Sequence, residues 1–350
     1  MKIFKILLIA CLLTLWVSPV MAAEEPKKKL NIFTWSEYID LDVIADFEKT
    51  HNVDVHIDLY ESNEEMIIRL ESARPGSYDI IIPTTYLLPS LLSKKLIQPL
   101  DKSLLPNISN IDPRFLNISE DPGNVYTIPY QWGTSGLAIR TKDPSSIEPS
   151  WDLVYKPSEQ ASFTLFDTAR DVFGSALLYL GYSANTTDPE ELMKAGQLVI
   201  EAKNRPNFRG FSGGVDGLSK VIGNVNTIAQ VYNGEAVKAS LEDPDIHYVL
   251  PKEGCEIWLD LFAIPTGAAN ATVAHEFLNY IMEPQIAARL AIYSKYPSPN
   301  LIAIELLPAS DRDNPGIYPP VEMLEKMEYY KDLGYEGERY EELWNIVKTR

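Results

Sequence analysis

Three stretches decide the fold: Leu30 to Trp35 (LNIFTW), Val53 to Tyr60 (VDVHIDLY) and Tyr78 to Pro83 (YDIIIP). The first and third are apolar runs of strand length. The second alternates with period two, so all three read as β-strands. Helix signals lie between them. Asp40 stands at an N-cap before the stripe Val43, Ile44 and Phe47. Ser62 and Glu65 form a capping box ahead of Met66, Ile67 and Leu70. Leu87 to Leu96 reads as a short helix after the third strand. Regular alternation of strand and helix implies an α/β fold, a parallel sheet with helices on both faces. Ligands of such sheets sit at the carboxyl ends of the strands. Those ends carry Trp35-Ser36-Glu37-Tyr38, Tyr60-Glu61-Ser62-Asn63 and Thr84-Thr85-Tyr86. Two of the three place an aromatic ring beside a carboxylate.

Outward from this core the pattern loosens. Ile128 to Arg140, with Gly133 and Gly136, reads as a crossing between domains. Ser162 to Phe166 is a strand, and Ala169 to Leu180 a helix capped by Asp167 or Thr168. Ile228 to Leu241 reads as helical around Asn233-Gly234, and Ile246 to Leu250 and Ile257 to Ile264 as strands. Asn270 is placed to cap a helix over Thr272 to Met282, and Pro319-Pro320 introduce a C-terminal helix ending near Gly334.

The chain of 350 residues has room for two domains. At 45% hydrophobic and 23% charged it can bury a real core. Its formal net charge of −18 repels phosphate backbones, which argues against nucleic-acid binding and for cationic partners. Residues 1–22 have the anatomy of a secretory signal peptide. Lys2 and Lys5 precede the apolar run Ile6 to Val17, Ser18-Pro19 breaks it, and Val20-Met21-Ala22 offers a cleavage site. The run is too short to span a membrane. A lipid attachment site at Cys11 is disfavoured, because cutting there would leave a hydrophobic stretch after it. Lys27-Lys28-Lys29 reads as a solvated junction to the domain. Once the leader is removed Cys255 is the one thiol, which excludes a disulfide framework and reads as a buried small residue.

Gly210-Phe211-Ser212-Gly213-Gly214 matches a nucleophile elbow, which requires a strand before it and a helix after it. The polar, proline-broken Asn204 to Arg209 instead suggests a flexible glycine loop. A serine hydrolase would pair Ser212 with Asp243 or Asp260 and with His247 or His275. His51, His56, His247 and His275 show no metal spacing, and His275-Glu276 reads as helix surface. No metal, cofactor or catalytic group is called for. What remains is aromatic–acid pairing, in Trp35 with Glu37 and Tyr38 and in Trp258 with Asp260. Aromatic faces attract an ammonium, and a carboxylate adds a charge-assisted hydrogen bond. Together they suit an organic amine. Each pair alone reads more readily as a core aromatic beside a surface acid; the pairs gain weight from falling at strand ends in an exported, acidic protein.

At these residues the chain resembles the periplasmic spermidine/putrescine-binding proteins of polyamine ABC transporters. The likeness runs over nearly the whole chain after the leader. It is carried by residues 31–38 (NIFTWSEY), 60–63 (YESN), 78–86 (YDIIIPTTY), 128–133 (IPYQWG), 180–188 (LGYSANTTD), 251–254 (PKEG) and 296–300 (YPSPN). The resemblance implies a type II periplasmic-binding-protein fold. Each lobe would be a central mixed or parallel sheet flanked by helices, with the ligand cleft between the lobes. One lobe would hold residues 27–133 and 259–304, the other 134–258 and 305–350. It implies no enzyme and no cofactor. A monomer would capture spermidine or putrescine and deliver it to inner-membrane permease subunits. Trp35, Tyr38, Tyr86, Trp258 and Tyr296 match the family's aromatic box, with Thr85 beside Tyr86. Glu37 matches the acid at one terminal amine, with Ser36 and Ser212 near that end. Asp171 and Asp260 match the acids at the other amines, although the family often has Glu where Asp171 stands. Thr168 replaces a further family Asp, with Asp167 next door. Tyr232 replaces a Trp, and Tyr330 a Gln. These departures leave open another cationic solute, or a sensing role in place of transport.

Overall fold

The structure, a computed structural model, describes residues 26–156, 158 and 160–349. The proposed leader, residues 1–22, lies outside them. The predicted strands open the fold in order: β1 (Lys28–Trp35), α1 (Leu41–His51), β2 (Val53–Tyr60), α2 (Asn63–Ser72), β3 (Ile80–Ile81) and α3 (Leu88–Ser93). β1 lies parallel between β2 and β3. Lys28 and Lys29 are the first residues of β1 and not a free junction. Asp40 caps α1 by accepting from the Asp42 N–H, and Ser62 caps α2 by accepting from the Glu65 N–H. The Glu65 carboxylate reaches back to the Glu61 N–H at 3.0 Å, one residue before the N-cap. The box is therefore displaced by one position from the predicted one.

β4 (Thr127–Arg140) is the crossing that its two glycines suggested, and it is buried along all but its last residue. Its first half pairs antiparallel with β9 (Glu256–Ala263), and its second half pairs with β7 (Ile228–Tyr232) and β8 (Ile246–Val249). The other segments of this half are α4 (Asp152–Tyr155), β5 (Phe163–Phe166), α5 (Ala169–Tyr179), α6 (Pro189–Lys203), β6 (Phe208–Ser212), α7 (Gly214–Ile222) and α8 (Asn233–Glu242). The strand order is β2-β1-β3-β9-β4-β7-β5-β6, with β8 on β4 and β10 (Glu328–Tyr329) on β9. Two parallel-stranded units are thus joined through an antiparallel pair, β4 and β9. Helices cover the sheet, completed by α9 (Ala271–Ile281), α10 (Pro284–Ser294), α11 (Leu301–Glu305), α12 (Ala309–Arg312), α13 (Val321–Leu324) and α14 (Gly337–Thr349).

Four further expectations need correction. Ile228 to Tyr232 is strand β7, and the helix starts only at Asn233. The β-branched residues of IAQVY are buried between β4 and β5, so pairing on both edges overrides any helical reading. The helix after Pro319-Pro320 ends after four residues, because the chain turns to pair β10 with β9. Gly334 begins the short turn that leads into α14. Asn270 stands at the N-cap of α9 without capping it, since its side chain is bound to Asp79. His275 is buried, accepting from the Asp101 N–H at 2.9 Å and donating to the Ala271 carbonyl at 2.7 Å. Its neighbour Glu276 pairs with Lys28 at the surface.

Along β9 the chemistry alternates while burial does not. All eight residues are buried. Glu256, Trp258 and Asp260 share one face, and Ile257, Leu259 and Leu261 the other. The second set belongs to the core. The first set makes an acid–aromatic–acid row along the central strand.

Candidate ligand-binding site

Asp260 is 5% exposed in the middle of β9. Tyr38 reaches it from the turn after β1, its hydroxyl donating to Oδ2 at 2.7 Å. Thr84, three residues past β3, donates to Oδ1 at 2.6 Å. Burial pushes the carboxyl up to about 6 despite both hydrogen bonds. Sequence reasoning singled out Thr85, which is buried beside this contact, and missed Thr84. The isolated bridge between Thr84 and Asp260 is the structural reason Thr84 faces the acid.

Asp171 is 6% exposed in the first turn of α5. Tyr330 donates to its Oδ1 at 2.7 Å, and Ser135 of β4 does so weakly at 3.5 Å. The Thr168 hydroxyl donates to Oδ2. Thr168 is the N-cap residue of α5, yet its side chain serves Asp171 and caps nothing. Burial raises the Asp171 carboxyl above its ordinary value, and these donors oppose the rise. No arginine, lysine or histidine among the described residues forms an ion pair with Asp171 or Asp260. Both are buried anions with hydroxyl donors alone.

Rings join the two acids. Tyr38 meets Tyr296 edge-on at 6.0 Å between centroids, Tyr296 meets Trp258 at 4.8 Å, and Trp258 meets Tyr232 at 6.1 Å. Tyr86 meets Tyr330 at 6.1 Å, close to Asp171. Gly133 of β4 makes room for the Trp258 indole, which a Cβ there would overlap. Trp35 is half-buried, stacked at a tilt on Tyr60 at 4.6 Å and donating its Nε1–H to the Ile82 carbonyl. Ser36 and Glu37 are exposed on the turn beside it, with Glu37 in the left-handed region at φ 52°. A carboxylate absent from the sequence reading, Glu235 of α8, accepts from the Tyr296 hydroxyl at 2.9 Å. Burial raises its carboxyl, and the Glu37 charge adds to the rise. Only the folded chain shows this acid near Glu37, for the sequence reading places Asn233-Gly234 inside a helix and singles out no acid there.

Two predicted residues do not join the group. Asp167 is exposed and pairs with Lys348 at 2.6 Å. Ser212 takes the Lys220 ammonium at 2.7 Å, and no hydrogen bond ties it to Ser36 or Glu37. Its surroundings also correct the loop reading, since β6 ends at Ser212 and α7 begins at Gly214. The strand–turn–helix context of an elbow is present without its partners. His247 contacts the Thr141 carbonyl, His275 the Asp101 backbone, Asp243 pairs with Arg140, and Asp260 is held by Tyr38 and Thr84. The described residues hold no group of three or more metal-ligating side chains.

Residues 42–314 match the model of the bacterial extracellular solute-binding proteins. The chain belongs to that family. It is 36% identical over 330 residues to a spermidine/putrescine-binding periplasmic protein of Escherichia coli (strain K12), covering 94% of each chain. It is 31% identical to a putrescine-binding periplasmic protein of Pseudomonas aeruginosa (strain UCBPP-PA14), again over 94% of each chain. Its fold superposes on a putative spermidine/putrescine ABC transporter protein from Listeria monocytogenes with a TM-score of 0.84 at 34% identity, covering 92% of this chain and 99% of the other. The two-lobed solute-binding fold is thereby established. No described helix is long and apolar enough to cross a membrane.

Proposed function

We propose that this protein captures a polyamine, spermidine or putrescine, between its lobes and delivers it to the membrane permease of an ABC importer. The observation that carries the reading is the pair Asp260 and Asp171. Each is a buried carboxylate with hydroxyl partners and no cation, and the two flank the rings of Trp258 and Tyr232. Burying a carboxylate is costly unless a cation meets it. Aromatic faces between two such acids favour the methylenes and ammonium groups of an amine. The names of the relatives point to the same ligand class. Glu37 would take a terminal ammonium together with Ser36. Trp35, Tyr38, Tyr86, Tyr232, Tyr296 and Tyr330 would enclose the chain.

In this reading residues 27–133 and 259–304 form one lobe and 134–258 and 305–350 the other. Ligand contacts to both would favour the closed form, which the permease reads. Residues 1–22 would direct export to the periplasm. The protein would act as a monomer, without catalysis and without nucleic acid. Thermal unfolding tests the reading with a panel of solutes. Spermidine or putrescine should raise the midpoint by several degrees, while 4-aminobutyrate, which carries a carboxylate, should not. A rise with 4-aminobutyrate alone would overturn the polyamine assignment.

A further inference from the structure

Glu256 opens the acid–aromatic–acid face of β9 and has no role in the site described so far. It is 0% exposed. Neither carboxylate oxygen has a hydrogen-bond partner beyond its own backbone. The carboxylate rests on Gly174 of α5, where any side chain would collide with it. Gly174 lies one helical turn beyond Asp171 on the same face, so the carboxylate packs on α5 one turn from Asp171. Asp171 also adds to the cost of charging it, after burial itself. The remaining titratable groups around it are Arg170 on α5, Glu328 on β10, Tyr330, Tyr155 of α4, Tyr248 of β8 and the adjoining Cys255. Arg170 is engaged elsewhere, stacked over the Tyr330 and Tyr340 rings and bound to Asn185 and the Lys331 carbonyl. No side chain among the described residues forms a hydrogen bond or ion pair with this carboxylate, and the Arg170 charge offsets only part of the cost of charging it.

The two acids therefore divide their roles. Asp171 has three hydroxyl donors and can carry the charge. Glu256 has none, and a buried carboxylate without a donor or cation holds its proton. We propose that Glu256 is a second anionic partner for the cationic group docked at Asp171: protonated in the empty site, it ionises when that group arrives, so that capture releases a proton. The step balances simply. The Glu256 O–H proton goes to solvent, and the ammonium replaces it as the neutralising charge. The inference rests on the polyamine reading for its ligand.

Calorimetric titration of spermidine at pH 7.5, in two buffers of different ionisation enthalpy, counts the protons. At this pH Asp260, near 6, is already largely ionised. The wild type should release close to one proton per ligand more than E256Q, and E256Q should bind roughly tenfold more weakly. Affinity of the wild type should also rise more steeply with pH than that of E256Q. Should E256Q fail to fold, E256M keeps the volume without polar atoms and serves the same comparison. Equal proton counts in wild type and variant overturn the inference and leave the polyamine reading intact. No binding by the wild type overturns the polyamine reading itself, and the ligand-linked step with it.

Discussion

The Tyr38 hydroxyl donates to Asp260 at 2.7 Å although the residues stand 222 positions apart. One comes from the turn after β1, the other from the middle of β9. The contact ties the turn between β1 and α1 to the central strand and leaves the carboxylate with no ion-pair partner. The same pattern recurs at Tyr330 and Asp171. A site so built is arranged to receive positive charge.

Protein stability should fall as pH rises toward neutrality. Asp260 has an ordinary value near 3.8 and a folded value of about 6, so between those values the folded state holds the extra proton. Stability from this group is complete below the lower value and lost through the upper one. About two units correspond to roughly 3 kcal/mol at most. Unfolding midpoints across pH 4–7.5 should decline in the wild type and decline less in Asp260→Asn. Parallel curves would contradict the assignment.

Amine affinity should show the opposite dependence. An ammonium needs Asp260 charged, so affinity should rise as pH increases through about 6. Titrations at pH 5 and pH 7 should differ by several-fold or more. A flat profile in both the wild type and Asp260→Asn would contradict direct contact with this acid.

Asp260→Asn and Glu37→Gln should each weaken binding more than tenfold if each breaks a charge pair with the ligand. Equilibrium binding of both variants beside the wild type checks this. Effects under twofold from both would remove these residues from the site.

Gly133→Ala should push the Trp258 indole out of its place, because the added Cβ would overlap the ring edge and also meet the Asn233 amide oxygen. Overpacking of this kind costs roughly 1–3 kcal/mol. Amine affinity should drop with it, and tryptophan fluorescence should shift. Unchanged stability and unchanged affinity would show that the indole has room elsewhere.

Much of this was readable from the chain. The strand-helix alternation from Leu30 to Leu96 needs only local periodicity, and the structure follows it closely. Trp258 and Asp260 stood out as an aromatic paired with an acid, and on β9 they share one face. Ile228 to Tyr232 was misread because a five-residue apolar run does not declare whether neighbours pair with it. Thr84, quoted only as part of a strand end, and Glu235 were given no role because their importance comes from partners far away in sequence, Asp260 and Tyr296. Glu256 looked like one more acid, and only burial without a partner distinguishes it. Asp167 and Ser212 gained a ligand-site role only through the resemblance, and here their side chains are taken up by Lys348 and Lys220.

The most direct measurement is calorimetric titration of spermidine, and then putrescine, into protein unfolded and refolded to strip any carried ligand. The account predicts binding of at least one at micromolar affinity or better, about −8 kcal/mol. No heat of binding from either amine, with the refolded protein shown to be native, would contradict it.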